Sequence, residues 1–275
     1  MKHLYLIPHG GLCNRLRAIA SARRVASLLN CKLSVIWAWG RWSDLFESCP
    51  DIEIFTNRES VPGGIPVHRT LLHKHGGDVL NQKLNPGVDT AALETCHHFS
   101  IKGLPPVSIL ELREWFVRPS ADIESRVTQE RAKLGQEVVG VHIRRTDHAV
   151  STRESPNELF LAEISMIAAK GLPVYLATDN SATREYFWSS FPATIRTMRL
   201  RRETGRRWPV KHRITSDLQD DFLDFLVLSN CSWVLGSYFS SFSGTAMALN
   251  GDPRCRYVVH PPPTGAGAPL SESSS

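Results

Sequence analysis

The sequence predicts an α/β protein with parallel sheets, divided into two domains. Three observations carry this prediction. Apolar, strand-like runs alternate along the chain with amphipathic helical ones. The 275 residues, 42% of them hydrophobic, are enough to bury two modest cores. The stretch "VRPS", residues 117–120, punctuates the chain and starts a new helix.

"HLYLI" (3–7) reads as the first strand and "PHGG" as the turn after it. Leu12, Leu16, Ile19, Ala22, Ala26 and Leu29 then recur at helical spacing, which predicts an amphipathic helix over 12–30. "KLSVIWAW" (32–39) is a second strand. Residues 50–110 are rich in Pro, Gly and His and suit short strands and loops. The boundary falls near residue 118, giving domains 1–118 and 119–260.

In the second half, a helix begins at Pro119 and Ser120 and leads into a strand at 138–143. A long loop, a helix at 156–170, the strand "PVYLATD" and a helix at 181–190 follow. "ATIRTM" is a strand before a basic loop. A helix at 216–230 precedes the strand "SWVLG", a serine turn, a short helix "GTAMALN" and the strand "RYVVH". The tail 261–275 is Pro, Gly and Ser and is expected to be disordered.

Net charge is +5 and the isoelectric point is about 9.0. The excess gathers in 196–213, where Arg196, Arg199, Arg201, Arg202, Arg206, Arg207, Lys211 and Arg213 face one acid, Glu203. Such a stretch is either a surface for nucleic acid or an acidic ligand, or a solvated loop. Trp208 is its only aromatic, too few for base stacking, so nucleic acid is not the expected partner. The N-terminal apolar run is too short for a signal peptide, and no stretch approaches the length of a membrane helix. The six cysteines form no CxxC pair. They are expected to be reduced and mostly buried, in the cytoplasm. "LLHKHGG" and "CHHF" gather histidines without a third ligand at metal spacing, so no metal site is expected.

Four places can carry chemistry. In "VGVHIRRTDHAV" (139–150) an apolar strand ends on Arg144 and Arg145, where desolvating a guanidinium is costly without a partner. Strand ends of α/β proteins are where ligands bind, and paired cations suggest an anion. Strand alternation puts His142 and Arg144 on one side, with Asp147 beyond. A guanidinium offers a phosphate the two-pronged fork that lysine lacks. The alternative is a structural Arg–Asp pair. In "HGGLCNRLRAI", Gly10 and Gly11 lie between strand and helix, where N–H groups and the helix dipole attract anions, and Asn14 and Arg15 occupy the first turn. The alternative is a plain βα turn. In "YLATDN", Asp179 and Asn180 end a strand, with helix capping as the competing role. In "DFLDFLVLSNCSWVLGSYFSSFSGTAMALNG", Ser240, Ser241 and nearby N–H groups suit phosphate oxygens and Phe242 suits a flat ring. Asp224, upstream, suits the N1–H and N2–H₂ edge of guanine, or is a solvent-facing helix residue. "WAWGRW" offers Trp37, Trp39 and Trp42 as a sugar platform or as core. No GxSxG elbow and no GKS/T loop is present, which removes support from hydrolase and kinase readings.

Together these motifs resemble the α1,6- and protein O-fucosyltransferase superfamily, including the bacterial nodulation enzymes. "GGLCNRLRAIASA" is similar to its N-terminal Gly-Asn-Arg motif, "VHIRRTD" to its His-x-Arg-Arg-x-Asp motif, "VYLATDN" to its second motif and "FLVLSNCSWVLGSYFSSFSGTA" to its third. The resemblance covers 1–30 and 138–250. It implies a GT-B fold of two Rossmann-like domains with the active site in the cleft between them. It also implies inversion without a required metal or cofactor, GDP-fucose as donor, and a glycan or protein hydroxyl as acceptor. Carried over by position, Arg144 contacts the β-phosphate, with His142 near ribose or phosphate. Arg145 and Asp179 belong to the donor side, and Asp224 reads guanine. Ser240, Ser241 and Phe242 hold phosphate and base, while Gly11, Asn14 and Arg15 border the acceptor. Asp147 is the candidate base and Asn14 an orienting group. Another nucleotide sugar, or a non-catalytic nucleotide- or glycan-binding protein, is the alternative.

Overall fold

A computed structural model of the chain describes residues 1–70, 87–146, 148–197 and 218–260. The chain divides into two compact units, Met1–Ser125 and Arg126–Ser275. The tail from 261, and all of the basic stretch beyond Thr197, lie outside the described residues.

The first unit contains β1 (His3–Pro8), α1 (Leu12–Leu29), β2 (Lys32–Ile36), β3 (Glu53–Phe55), β4 (Val67–Thr70) and β5 (Thr90–Thr95). They form a parallel sheet in the order β3-β2-β1-β5-β4. Leu12, Leu16, Ile19, Ala22 and Ala26 are buried on α1 as the spacing predicts, while Leu29 is half-buried and Val25 joins the buried face. Asn30 in the left-handed conformation (φ 48°) ends the helix, a position asparagine tolerates better than most residues. The second strand is shorter than its apolar run suggests. Trp37 still donates its N–H to the Phe55 carbonyl at 2.6 Å. Its ring, however, turns edge-on to Trp42 and Phe46 at 5.6 Å each, and the chain leaves the sheet to form that aromatic cluster.

Helix α2 (Ala121–Leu134) spans the division between the units and leads into β6 (Val139–Ile143). The second unit continues with α3 (Ala149–Glu154), α4 (Asn157–Ala169), β7 (Val174–Thr178), α5 (Ser181–Ser190) and β8 (Ile195–Arg196). After the undescribed segment come α6 (Leu218–Ser229), β9 (Trp233–Ser237), α7 (Ser241–Asn250) and β10 (Arg256–Val258). The parallel sheet runs β10-β9-β6-β7-β8. The chain therefore moves one way from β6 to β7 and β8, then returns to the other side for β9 and β10. The β6/β9 junction is the switch point, where loops diverge and leave a crevice at the strand ends.

Strand β6 is buried on both faces. Val139, Val141 and Ile143 join Phe160, Ile164, Ile167 and Phe187 in one core, each such side chain contributing about 1.5–3 kcal/mol when fully buried. The opposite face bears Gly140 and His142. A Cβ at Gly140 would lie 2.8 Å from Leu228 Cδ1, and one at Gly236 would lie 2.5 Å from Ser243 Cβ. Both glycines let α6 and α7 approach the sheet closely.

Besides the shorter second strand, the strand expected at "ATIRTM" is described only as Ile195–Arg196, and two further elements differ from the sequence reading. The long loop after β6 contains α3, a six-residue helix capped by His148, whose Nδ1 accepts the Ser151 N–H at 3.3 Å. Its periodicity is too short to register, and tertiary contacts to buried Ser151 fix it. Helix α7 starts at Ser241 rather than Gly244, because the Ser240 hydroxyl accepts the Ser243 N–H at 3.4 Å and caps it there.

Candidate active site

The ends of β6, β7 and β9 bring together residues far apart in sequence. Register aligns Ile143 with Thr178 and His142 with Gly236, so Arg144, Asp179 and the turn after Ser237 share one sheet edge. The Asp179 carboxylate is the hub. It accepts the Arg145 N–H at 2.8 Å and the Thr146 hydroxyl at 2.5 Å, and pairs with Arg144 Nε at 3.1 Å. Burial would raise this carboxyl, but Arg144, the Thr146 hydroxyl and the Arg145 N–H together hold it below the usual carboxylate range. The Arg144 side chain is 28% exposed and 16% of Asp179 remains so. The guanidinium is thus oriented while still reached by solvent. The Arg144 N–H donates to Ser237 Oγ at 3.0 Å, tying the β6 end to the β9 end.

Arg145 is placed differently from its neighbour. Its guanidinium donates to Asn157 Oδ1 at 2.8 Å, to the Arg144 carbonyl at 2.7 Å and to the Ser155 carbonyl at 2.8 Å. Burial pushes its pKa down to about 10, which leaves it cationic at neutral pH. It braces the loop, so the paired cations of the motif divide into one that orients the backbone and one that is presented. Asn180 takes the capping role, accepting the Thr183 N–H at 2.9 Å at the start of α5.

Ser240 caps α7 and Ser241 begins it, directly after β9. The helix N-terminus therefore stands beside Arg144 at the switch point and adds its partial positive charge there. Phe242 stacks on His142 (centroids 4.6 Å, planes 25° apart) and meets Phe225 edge-on at 5.4 Å. His142 is 4% exposed and its Nδ1 lies 2.7 Å from Ser243 Oγ. Burial pushes its pKa down to about 3, so it is neutral at pH 7. It supports Phe242 and the α7 terminus from beneath.

One expected member, Asp224, is not in this cluster. Asp147 lies outside the described residues. The structure does not bring Asp224 to the strand ends. Its carboxylate accepts the Tyr175 hydroxyl, and Tyr175 is in register with Gly140, near the start of β7. Four strand residues, roughly 13 Å at 3.3 Å per residue, separate Tyr175 from Asp179. Burial pushes the Asp224 carboxyl up to about 7, against the opposing effect of the Tyr175 bond. A second acid, Asp220, stands one helical turn earlier on α6. Asp220 is 2% exposed and pairs with Arg126 at 3.2 Å. It lies in the first turn of α6, where acids complement the dipole.

In the first unit, the β1–α1 turn sits at the corresponding switch point, between β1 and β5. Gly10 adopts φ +82°, and a Cβ there would lie 2.8 Å from Asn14 Nδ2, so this glycine has both a conformational and a steric reason. Gly11 is extended (φ −68°, ψ 171°) with open space around it. Arg15 donates to the Pro8 carbonyl at 2.6 Å and the Gly10 carbonyl at 2.9 Å, and lies 4.1 Å from the Trp39 ring centroid. Trp37 is fully buried and Trp39 is 37% exposed. His98, after β5, is pushed down to about 4 by burial and by Arg17 and His97. Among the described residues no group of three His, Cys, Asp or Glu is placed to hold a metal ion. No described helix is long and apolar enough to cross a membrane.

Several solved fucosyltransferases have the same fold. POFUT1 in complex with GDP matches with a TM-score of 0.59 at 12% identity, over 94% of this chain and 98% of that one. NodZ α-1,6-fucosyltransferase soaked with GDP-fucose matches at 0.56 and 16%, over 90% and 92%. A mutant of Arabidopsis thaliana FUT1 in complex with GDP matches at 0.61 and 16%, over 93% and 69%. No protein-family model and no curated protein matches the sequence. At these identities the likeness is one of architecture: the chain has the two parallel-sheet α/β units of the GT-B fold, as do these fucosyltransferases.

Proposed function

We propose that the protein is an inverting, metal-independent glycosyltransferase that moves fucose from GDP-fucose to a hydroxyl of a glycan or glycoconjugate, in the cytoplasm. One observation carries this reading. The Asp179-oriented guanidinium of Arg144 and the Ser240-capped terminus of α7 stand together at the β6/β9 switch point. The likeness in fold to proteins solved with GDP and GDP-fucose supports it. The six free thiols fit the reducing compartment.

The chemistry follows from charge. Departure of GDP builds negative charge on its β-phosphate, and Arg144, the α7 N–H groups and the Ser240 and Ser241 hydroxyls are arranged to stabilise it. Asp179 keeps the guanidinium aimed, so little reorganisation is needed as charge develops. The anomeric carbon becomes cation-like, and a weak hydroxyl nucleophile then suffices on the opposite face. Neutral His142 and Phe242 form the floor beneath the donor. Gly11, Asn14 and Arg15 are assigned to the acceptor, Asn14 as an orienting group and Asp147 as the base.

The test is calorimetry of GDP, UDP and ADP with and without EDTA, followed by GDP-fucose turnover with a glycan panel and NMR of the product's anomeric configuration. GDP should bind tightest, chelation should change nothing, and the product should be inverted. Absence of GDP binding, or binding that collapses on chelation and returns with magnesium or manganese, would overturn the proposal.

A further inference from the structure

Four aromatic rings, three of them exposed and His148 half-buried, form a continuous strip beside the α7 terminus. Tyr257, Tyr238, Phe239 and His148 follow one another with centroids 5.7, 5.9 and 5.6 Å apart. Tyr238 is 40% exposed, Phe239 51% and Tyr257 37%, although burying such rings is favourable. The strip is contiguous in sequence with Ser240, so it borders the proposed donor site.

The strip is also held at a cost. Phe239 has φ +59°, a left-handed conformation that bulky L-residues rarely adopt. Two buried hydroxyls fix its neighbour: Ser151 Oγ donates to the Tyr238 carbonyl at 2.7 Å, and the Tyr238 N–H donates to Ser155 Oγ at 2.9 Å. Strain that the surroundings over-determine is a mark of a functional position. Here its effect is to project an apolar ring into solvent next to a candidate catalytic edge. The rim is polar. His148 carries two ring nitrogens and both tyrosines carry hydroxyls.

Flat apolar faces with hydroxyl and imidazole groups at their edges match pyranose rings, which present C–H faces between equatorial hydroxyls. A purely apolar peptide would leave those polar groups unmatched. We propose that Tyr238, Phe239, Tyr257 and His148 form the platform on which an oligosaccharide acceptor lies, with Phe239 as the central stacking ring. This rests on the glycosyltransferase reading and names its acceptor class.

Phe239→Gly gives a clean test, because glycine keeps the left-handed backbone without strain while removing the ring. Phe239→Asn is a second such variant, and Phe239→Trp keeps a stacking face. The probes are cellotetraose, chitotetraose and maltotetraose, followed by saturation-transfer NMR and titration, with GDP affinity and Tm measured on every protein. At least one tetrasaccharide should bind the wild type and Phe239→Trp. Its affinity should fall at least tenfold in Phe239→Gly and Phe239→Asn, with GDP affinity unchanged and Tm no lower. A Phe239→Gly protein that binds the saccharide normally overturns the platform, as does a wild type that binds none of the three. Self-association of the wild type abolished by Phe239→Gly would make the strip an interface between copies and overturn it too. Failure of GDP to bind wild type would instead strike the donor-site reading, and the saccharide titration reports independently of it.

Discussion

Replacing Asp179 by asparagine should remove the charge that organises the β6 end while keeping the side chain's shape. The carboxylate serves the Arg145 N–H, the Thr146 hydroxyl and the Arg144 guanidinium at 2.8, 2.5 and 3.1 Å. An amide has one acceptor oxygen and turns an NH₂ towards one of these donors. Breaking a buried ion pair by removing one partner costs about 3–5 kcal/mol. Arg144 is 28% exposed and Asp179 16%, so solvent screens part of that loss, and about 2–3 kcal/mol is the expected cost. For a chain of this size that lowers Tm by roughly 4–12 °C. The pH dependence has a definite sign. The Asp179 carboxyl is held below its ordinary value in the folded state. Its contribution is therefore complete above the unfolded pKa of about 4 and is lost as pH falls through the lower folded pKa. Urea titrations of wild type and Asp179→Asn should differ by a constant amount from pH 8 to about 5 and converge below about pH 4. A difference under about 0.5 kcal/mol at pH 7, the scale of an ordinary surface substitution, would refute the hub. So would a gap that persists unchanged to pH 3.

Arg144→Ala should lower fucosyl transfer by about 10²–10³, the usual cost of losing one contact to developing charge, and Arg144→Lys should recover little because it lacks the fork. Near-normal turnover in the lysine variant would remove the two-pronged contact. Asp224→Asn should leave the preference for GDP over UDP and ADP unchanged in competition assays, since Asp224 faces Tyr175. Its carboxyl sits at about 7 when folded against about 4 unfolded, so the native state holds a proton the unfolded state has released. Wild-type stability should thus fall as pH rises from about 4 to 7 and level off above. The asparagine variant should lack this fall, and equal slopes in urea titrations would refute it. Gly236→Ala should cost about 1–3 kcal/mol through overpacking, because the new Cβ would meet Ser243 Cβ at 2.5 Å. Thermal melts check this, and GDP affinity should drop as α7 is pushed off the sheet.

The sequence by itself determined the α/β class and the alternation of elements. Those properties are local. The burial of both faces of β6 is written in its apolar run, the helix α1 in its period, and the cation at Arg144 in its place just past a strand. Resemblance of short motifs was enough to anticipate the GT-B fold, because those motifs occupy the βα turns that define it. What the sequence left open was decided by contacts between residues far apart in the chain. Arg144 and Arg145 are adjacent and chemically identical, and the Asn157 side chain and Ser155 carbonyl, 12 and 10 residues further on, turn Arg145 into a brace. Asp220 and Asp224 are one helical turn apart on α6. That one pairs with Arg126 and the other with Tyr175 depends on how α6 packs, a quantity with no signature in local spacing. The same holds for Phe239: no pattern in "GSYFSS" announces a left-handed backbone. Its neighbour Tyr238 is held by Ser151, in a six-residue helix too short to be read from its own residues, and by Ser155 just after that helix. Local propensity sets elements, but the partners of buried polar groups are set by tertiary packing, and at this site those partners decide each residue's role.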